Sequence, residues 1–146
     1  MAVLFVLLAS WLILRGIGAL GVGALATWQH SAVYALAVMF VFTASAHFNK
    51  MKQDLARMIP PVFPKPLLIV YVTGVLELFG ALGLLLPQFR RLAAICLAIM
   101  LVGLFVANIN AALKGVTLRG KPATALWLRT PMQLFFICLL IWSTRP

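Results

Sequence analysis

Acidic residues are nearly missing from this chain. Asp54 and Glu77 stand alone against twelve Lys and Arg in 146 residues, giving a net charge of +10. Charged residues of either sign make up 10% of the sequence, against about 25% in soluble domains. With 64% hydrophobic residues and a mean hydropathy of +1.11, that deficit excludes an ordinary soluble fold and indicates an integral membrane protein. Cysteine is scarce too. Cys96 and Cys138 lie in apolar stretches without CxxC spacing, which excludes a thiol-pair redox motif and fits small buried hydrophobes; nothing in their spacing supports a disulfide. Histidine is limited to His30 and His47, 17 residues apart on one expected helix and so about 25 Å from each other. They cannot share a metal or haem within one chain, so no metal or haem site is expected. The sequence has no nucleophile constellation, phosphate loop or dinucleotide fingerprint. Its basic residues are scattered through short loops with no interleaved aromatics, so nucleic acid is not an expected partner; membrane lipid headgroups are.

What is present is apolar length. Segments of about 2–26, 31–48, 67–86, 92–113 and 124–142 each approach the roughly 20 residues that cross a hydrocarbon core as a helix. They predict one all-α transmembrane domain over residues 1–146, with no soluble domain or long linker. The first segment carries an Ala24-Leu25-Ala26 stretch that imitates a cleavage site. No basic residue precedes its apolar run, the run is long, and Arg15 interrupts it, so a retained helix is expected. Loop charge sets the expected orientation. Lys50, Lys52, Arg57, Lys65, Lys114, Arg119 and Lys121 fall on one side, and Arg90, Arg91 and Arg145 on the other. The first side is therefore expected to be cytoplasmic, with the N-terminus inside and the C-terminus outside.

The 49–66 connection has a pattern of its own. Met51, Leu55, Met58 and Ile59 recur at helical spacing opposite Lys50, Lys52, Asp54 and Arg57. This predicts an interfacial amphipathic segment over about 49–59, ended by Pro60-Pro61, either a plain linker or a lid over a cavity.

Glu77 is the most informative residue. It lies ten residues after Leu67, about 15 Å into its helix, where an ionised carboxylate costs on the order of 3 kcal/mol unless paired or neutralised. Arg15 is expected at a similar depth. His47, Asn108, and the Arg129/Gln133 pair one helical turn apart all fall toward the cytoplasmic half, with Tyr71 and Thr73 on the helix of Glu77. Asn49 and Lys50 would stand at the mouth beside His47. The outer half reads as almost wholly apolar. An inward-opening polar pocket is the expectation, alongside the simpler one that Arg15 or Arg129 pairs with Glu77 and that Asn108 and Gln133 bridge helices. Gly16, Gly18, Gly21 and Gly23 suggest close packing of the first helix, as do Gly74, Gly80 and Gly83 and the Gly103, Ala107, Ala111 stripe elsewhere.

Several motifs together resemble the DoxX family of small bacterial membrane proteins. They are SAHFNK (45–50), the Arg-Met-Ile-Pro stretch at 57–60, YVTGVLELFGALGLLLP (71–87), RRLAA (90–94), VANINAAL (106–113) and Arg129-Thr130-Pro131-Met132-Gln133. The resemblance covers about 33–143. It implies a bacterial cytoplasmic-membrane bundle: a four-helix core of segments two to five, with the first helix as an addition. It also implies His47, Glu77, Asn108, Arg129 and Gln133 as the motif polar residues, and an association with oxidoreductase systems.

Two functional expectations follow. In the first, the pocket binds a lipophilic molecule such as a quinone or lipid. Glu77 and His47 are the candidate catalytic, proton-carrying residues, and Asn108, Arg129, Gln133, Tyr71 and Asn49 the ligand-binding ones. No cofactor beyond such a quinone is implied, and any oxidoreductase role would need a bound quinone or a catalytic partner subunit. In the second, the protein is a non-catalytic anchor or assembly subunit that holds a partner through its basic loops. A proton-coupled transporter is a weaker third, since no inverted repeat is visible. The glycine-rich first helix would also suit a homo-oligomer.

Overall fold

In the computed structural model, residues 2–145 are described. Six α-helices carry the fold: α1 (Ala2–Ala19), α2 (Trp28–Phe48), α3 (Lys52–Met58), α4 (Pro66–Leu85), α5 (Arg90–Lys114) and α6 (Leu126–Ser143). All but α3 are long and apolar enough to cross a membrane, as a multi-pass membrane protein requires.

Local chemistry sets several of the boundaries. Thr27 caps α2, its hydroxyl accepting the His30 N–H at 3.1 Å. Pro66 opens α4 at a first-turn position, where its missing N–H costs no helical bond. The first apolar segment does not run to residue 26 as one helix. It stops at Ala19, turns through Gly21 at φ +108°, and adds a short 3-10 turn at Gly23–Leu25 before α2 begins. A side chain would strain that left-handed conformation, and hydropathy alone could not register it. Close packing of α1's glycines is confined to Gly18, which lies against the Leu25 backbone; Gly16, Gly21 and Gly23 face open space. The fold also departs from pure helix at one point. β1 (Thr117–Leu118) and β2 (Lys121–Pro122) form a minimal hairpin turning through Arg119 and Gly120, both at positive φ.

Packing is organised around α2, which touches α1, α4 and α6, while α4 meets α5 and α5 meets α6. Small residues on α2 (Ala32, Ala35, Ala37, Ala44) bring neighbours close around Leu36, Met39 and Phe40, all buried. Leu, Ile, Phe and Val cover much of the outer surface, as a lipid-facing bundle needs. The α3 end of the bundle carries the hairpin and all five lysines.

The opposite end is less apolar than expected. Trp11 donates its indole N–H toward the Trp28 carbonyl (3.0 Å) and the Ser31 hydroxyl (3.2 Å), and Ser31 and Ser143 are buried. Arg15 belongs to this group and not to the level of Glu77. Its guanidinium lies 5.3 Å from the ring centre of Trp28, the first residue of α2. The early end of α1 moved Arg15 from the expected midplane to the helix terminus.

Candidate functional site

A cavity of about 610 Å³ lies among α2, α4, α5 and α6, with α3 against it. Most of its lining is apolar, and two polar clusters interrupt it.

The first cluster joins α2 to α4. Gly74 makes it possible: a Cβ there would stand 2.5 Å from that of His47, so only glycine lets the helices approach so closely. His47 Nδ1 donates to the Val70 carbonyl at 2.7 Å, and the Thr73 hydroxyl lies 3.2 Å from the same nitrogen. Nε2 then faces Glu77 Oε2 at 3.7 Å. The Thr43 hydroxyl donates to that carboxylate oxygen at 2.9 Å. Glu77 and His47 are both buried. Glu77 is therefore answered by Thr43 and His47, and neither Arg15 nor Arg129 pairs with it.

The second cluster joins α5 to α6. Arg129 and Gln133 share a face of α6. Arg129 Nη1 donates to Asn108 Oδ1, Asn108 Nδ2 reaches Gln133 Oε1 at 3.4 Å, and Gln133 Nε2 donates to the Leu101 carbonyl at 2.6 Å. Among the described residues no carboxylate lies within 4.0 Å of Arg129. A guanidinium has five N–H donors, and most of these remain open to an acceptor in the cavity.

The remaining wall comes from α3 and the turn after it: Leu55, Met58, Ile59, Pro60 and Phe63. This segment is held down at two points. Asn110 Nδ2 donates to the Met58 carbonyl at 2.8 Å, and Asp54 Oδ2 accepts the Arg119 backbone N–H at 3.0 Å. Asp54 also meets Arg57, an exposed pair of little energetic weight.

His47, Glu77, Asn108, Arg129 and Gln133 thus line one space. Asn49 and Tyr71 do not. Asn49 is exposed and uses its side-chain oxygen to accept the Met51 N–H at 2.8 Å, shaping the turn into α3. Tyr71 points outward, accepting a bond from Lys52 Nζ at 2.7 Å and packing its ring near Phe48. Sequence reasoning missed Thr43, whose partner lies 34 residues away. Of the stripe Gly103, Ala107, Ala111, only Ala111 is buried; Gly103 and Ala107 line the cavity, and a Cβ at Gly103 would meet nothing within 4 Å. Cys96 and Cys138 are free and exposed, not buried. Among the described residues, His47 and Glu77 are the only His, Cys, Asp or Glu side chains on the cavity wall.

A family model described as Domain of unknown function (DUF8561) matches residues 36–145. The chain belongs to this family. The DUF8561 match begins within α2 and runs through α6, so it takes in every polar side chain of the cavity and leaves α1 outside. No curated protein and no solved structure matches the chain.

Proposed function

We propose that this DUF8561 member is a multi-pass protein of the bacterial cytoplasmic membrane whose cavity holds the polar head of a lipophilic ligand, such as a quinone or a lipid. The observation that carries the reading is the convergence of two polar clusters, Thr43–Glu77–His47 and Asn108–Arg129–Gln133, on one apolar-walled space. Cavities with a few convergent polar groups in an apolar lining are typical of small-molecule sites. Arg129 and Gln133 supply donors to the head, and Glu77 with His47 handles a proton where the ligand's chemistry calls for one. The DoxX-like motifs favour the same picture, with α2, α4, α5 and α6 as the core. That assignment agrees with a family match that omits α1 and with α1 packing chiefly on α2. The excess of lysine and arginine at the α3 end supports a cytoplasmic position for that end, with the N-terminus inside and the C-terminus outside.

The test is mass spectrometry of the molecules retained by the purified protein in mild detergent. A defined lipophile in one-to-one ratio, lost in folded Glu77→Gln, supports the reading. Bulk lipid alone in both proteins overturns it. A second reading, an anchor for a partner protein, draws on the exposed Lys50, Arg57, Lys65, Lys114, Arg119 and Lys121 gathered at one end. Crosslinking in intact membranes that yields no stoichiometric partner removes it.

A further inference from the structure

A second space of about 520 Å³ lies between α4 and α5, and its lining is almost entirely apolar. On α4 it extends from Leu76 to Gly83, with Leu86 just past the helix end, and on α5 from Met100 back to Leu92. Met100 lines both spaces, so the two adjoin at this side chain. Along α4 the two together run from Ile69 to Leu86, about 25 Å at 1.5 Å per residue. The whole trough is polar at one end only.

We propose that the α4–α5 groove takes the hydrocarbon chain of the molecule whose head occupies the cavity, which makes the ligand an amphiphile with one long chain. The inference rests on the cavity reading and adds the chain's path, past Met100 and down the α4–α5 seam. A thioether side chain, unbranched and flexible, suits the junction because it can shift around a passing chain. The wall polarity fixes the direction: an acceptor-bearing head meets Arg129 and Gln133, and nothing in the groove competes for it. Two molecular sources share this chemistry, a prenylquinone and a single-chain fatty acid.

Affinity alone cannot report the chain. Bilayer hydrocarbon is as apolar as the groove, so the tail gains little by moving from one to the other. Occupancy has to be read sterically, and the protein holds its own pair of reporters. Cys96 lines the groove, whereas Cys138 lines neither space, and both thiols are free and exposed.

The experiment uses the full chain in detergent with four probes: a short- and a long-tailed prenylquinone, and butyrate with oleate. Thermal stability reports head binding, and the rate of maleimide labelling at each cysteine, resolved by peptide mass spectrometry, reports the groove. The expected result is that both members of one probe pair raise Tm and only the long-tailed member slows labelling of Cys96. That slowing is about tenfold at a probe concentration about ten times its Kd, with Cys138 unchanged. The pair that responds identifies the source. Leu76→Trp, a change in the lining of the groove alone, is expected to keep the short-tailed response and to lose protection of Cys96 by the long tail. A Tm rise with Cys96 labelling the same for both tail lengths overturns the chain path and leaves the cavity reading intact. No Tm response to any probe removes the cavity reading, and the chain path with it.

Discussion

His47 turns its Nε2 toward Glu77 Oε2 across 3.7 Å, while its Nδ1 is committed to the Val70 carbonyl at 2.7 Å. A carbonyl only accepts, so Nδ1 carries a hydrogen and Nε2 is the free side of the ring. If Nε2 and the carboxylate were both bare, two sets of lone pairs would face each other. That contact is relieved by a proton on either group or by a donor standing between them. Their separation exceeds a hydrogen bond and leaves room for a bridging oxygen from water or ligand.

Glu77→Gln preserves this arrangement in outline. The amide oxygen can still accept from Thr43, and the amide NH₂ can donate to Nε2. We expect a stability loss below about 1 kcal/mol, whereas Glu77→Leu strands both partners and costs about 1–3 kcal/mol. Thermal unfolding in detergent separates the two. Equal losses would mean that the hydrogen bonds around Glu77 do not contribute to the fold.

Two glycines on neighbouring helices should respond in opposite ways. Gly74→Ala puts a methyl group 2.5 Å from His47 Cβ and 2.9 Å from its Cγ, so α2 and α4 must separate. We expect a cost of about 1–3 kcal/mol, in the range of overpacked cores. Gly103→Ala meets open space within a helix and should stabilise the protein by as much as about 1 kcal/mol. Its methyl group enters the cavity, so ligand retention should fall while Tm rises. A parallel change in both readouts would place Gly103 away from the ligand.

Asp54 fastens α3 to the hairpin through the Arg119 N–H at 3.0 Å. Asp54→Ala leaves the second fastening, Asn110 to the Met58 carbonyl, in place. Hydrogen exchange should quicken across residues 49–63, with α2, α4 and α5 unchanged. Asp54→Ala combined with Asn110→Leu should quicken it further. Unaltered exchange in the double variant would show that apolar packing of Leu55, Met58 and Phe63 is enough to hold the segment.

The sequence made some of this legible and hid the rest for identifiable reasons. Apolar runs of membrane-spanning length announced the five long helices, because burial in hydrocarbon depends on composition over a window. Glu77 stood out because a carboxylate is expensive there, and Arg129 and Gln133 because four residues place two side chains on one helix face. Thr43 gave no sign. A threonine in an apolar helix ordinarily bonds its own backbone, and only the α2–α4 register brings it to Glu77. Arg15 was misplaced because a glycine at positive φ, not hydropathy, ends α1. Asn49 looked like a ligand-binding residue from its neighbours, yet its oxygen satisfies a backbone N–H two residues on. Local capping and pocket lining use the same residue types, and only the packed structure tells them apart.

The α5–α6 cluster offers the sharpest energetic test. Arg129 is a guanidinium inside a bundle of apolar helices, and Asn108 Oδ1 is the acceptor it reaches. Asn108→Leu removes that acceptor and leaves the charge in place, so we expect a loss of about 1.5–3 kcal/mol, as for a hydrogen bond to a charged group. Arg129→Met removes the charge as well as the bond. Added to Asn108→Leu, it should recover part of the loss, because breaking one partner costs more than replacing both with apolar side chains. The double-mutant cycle should give a coupling of about 1–3 kcal/mol. Simple additivity would mean that water already satisfies Arg129 in place of Asn108, and the Asn108 contact would then not hold the guanidinium in position for a head group.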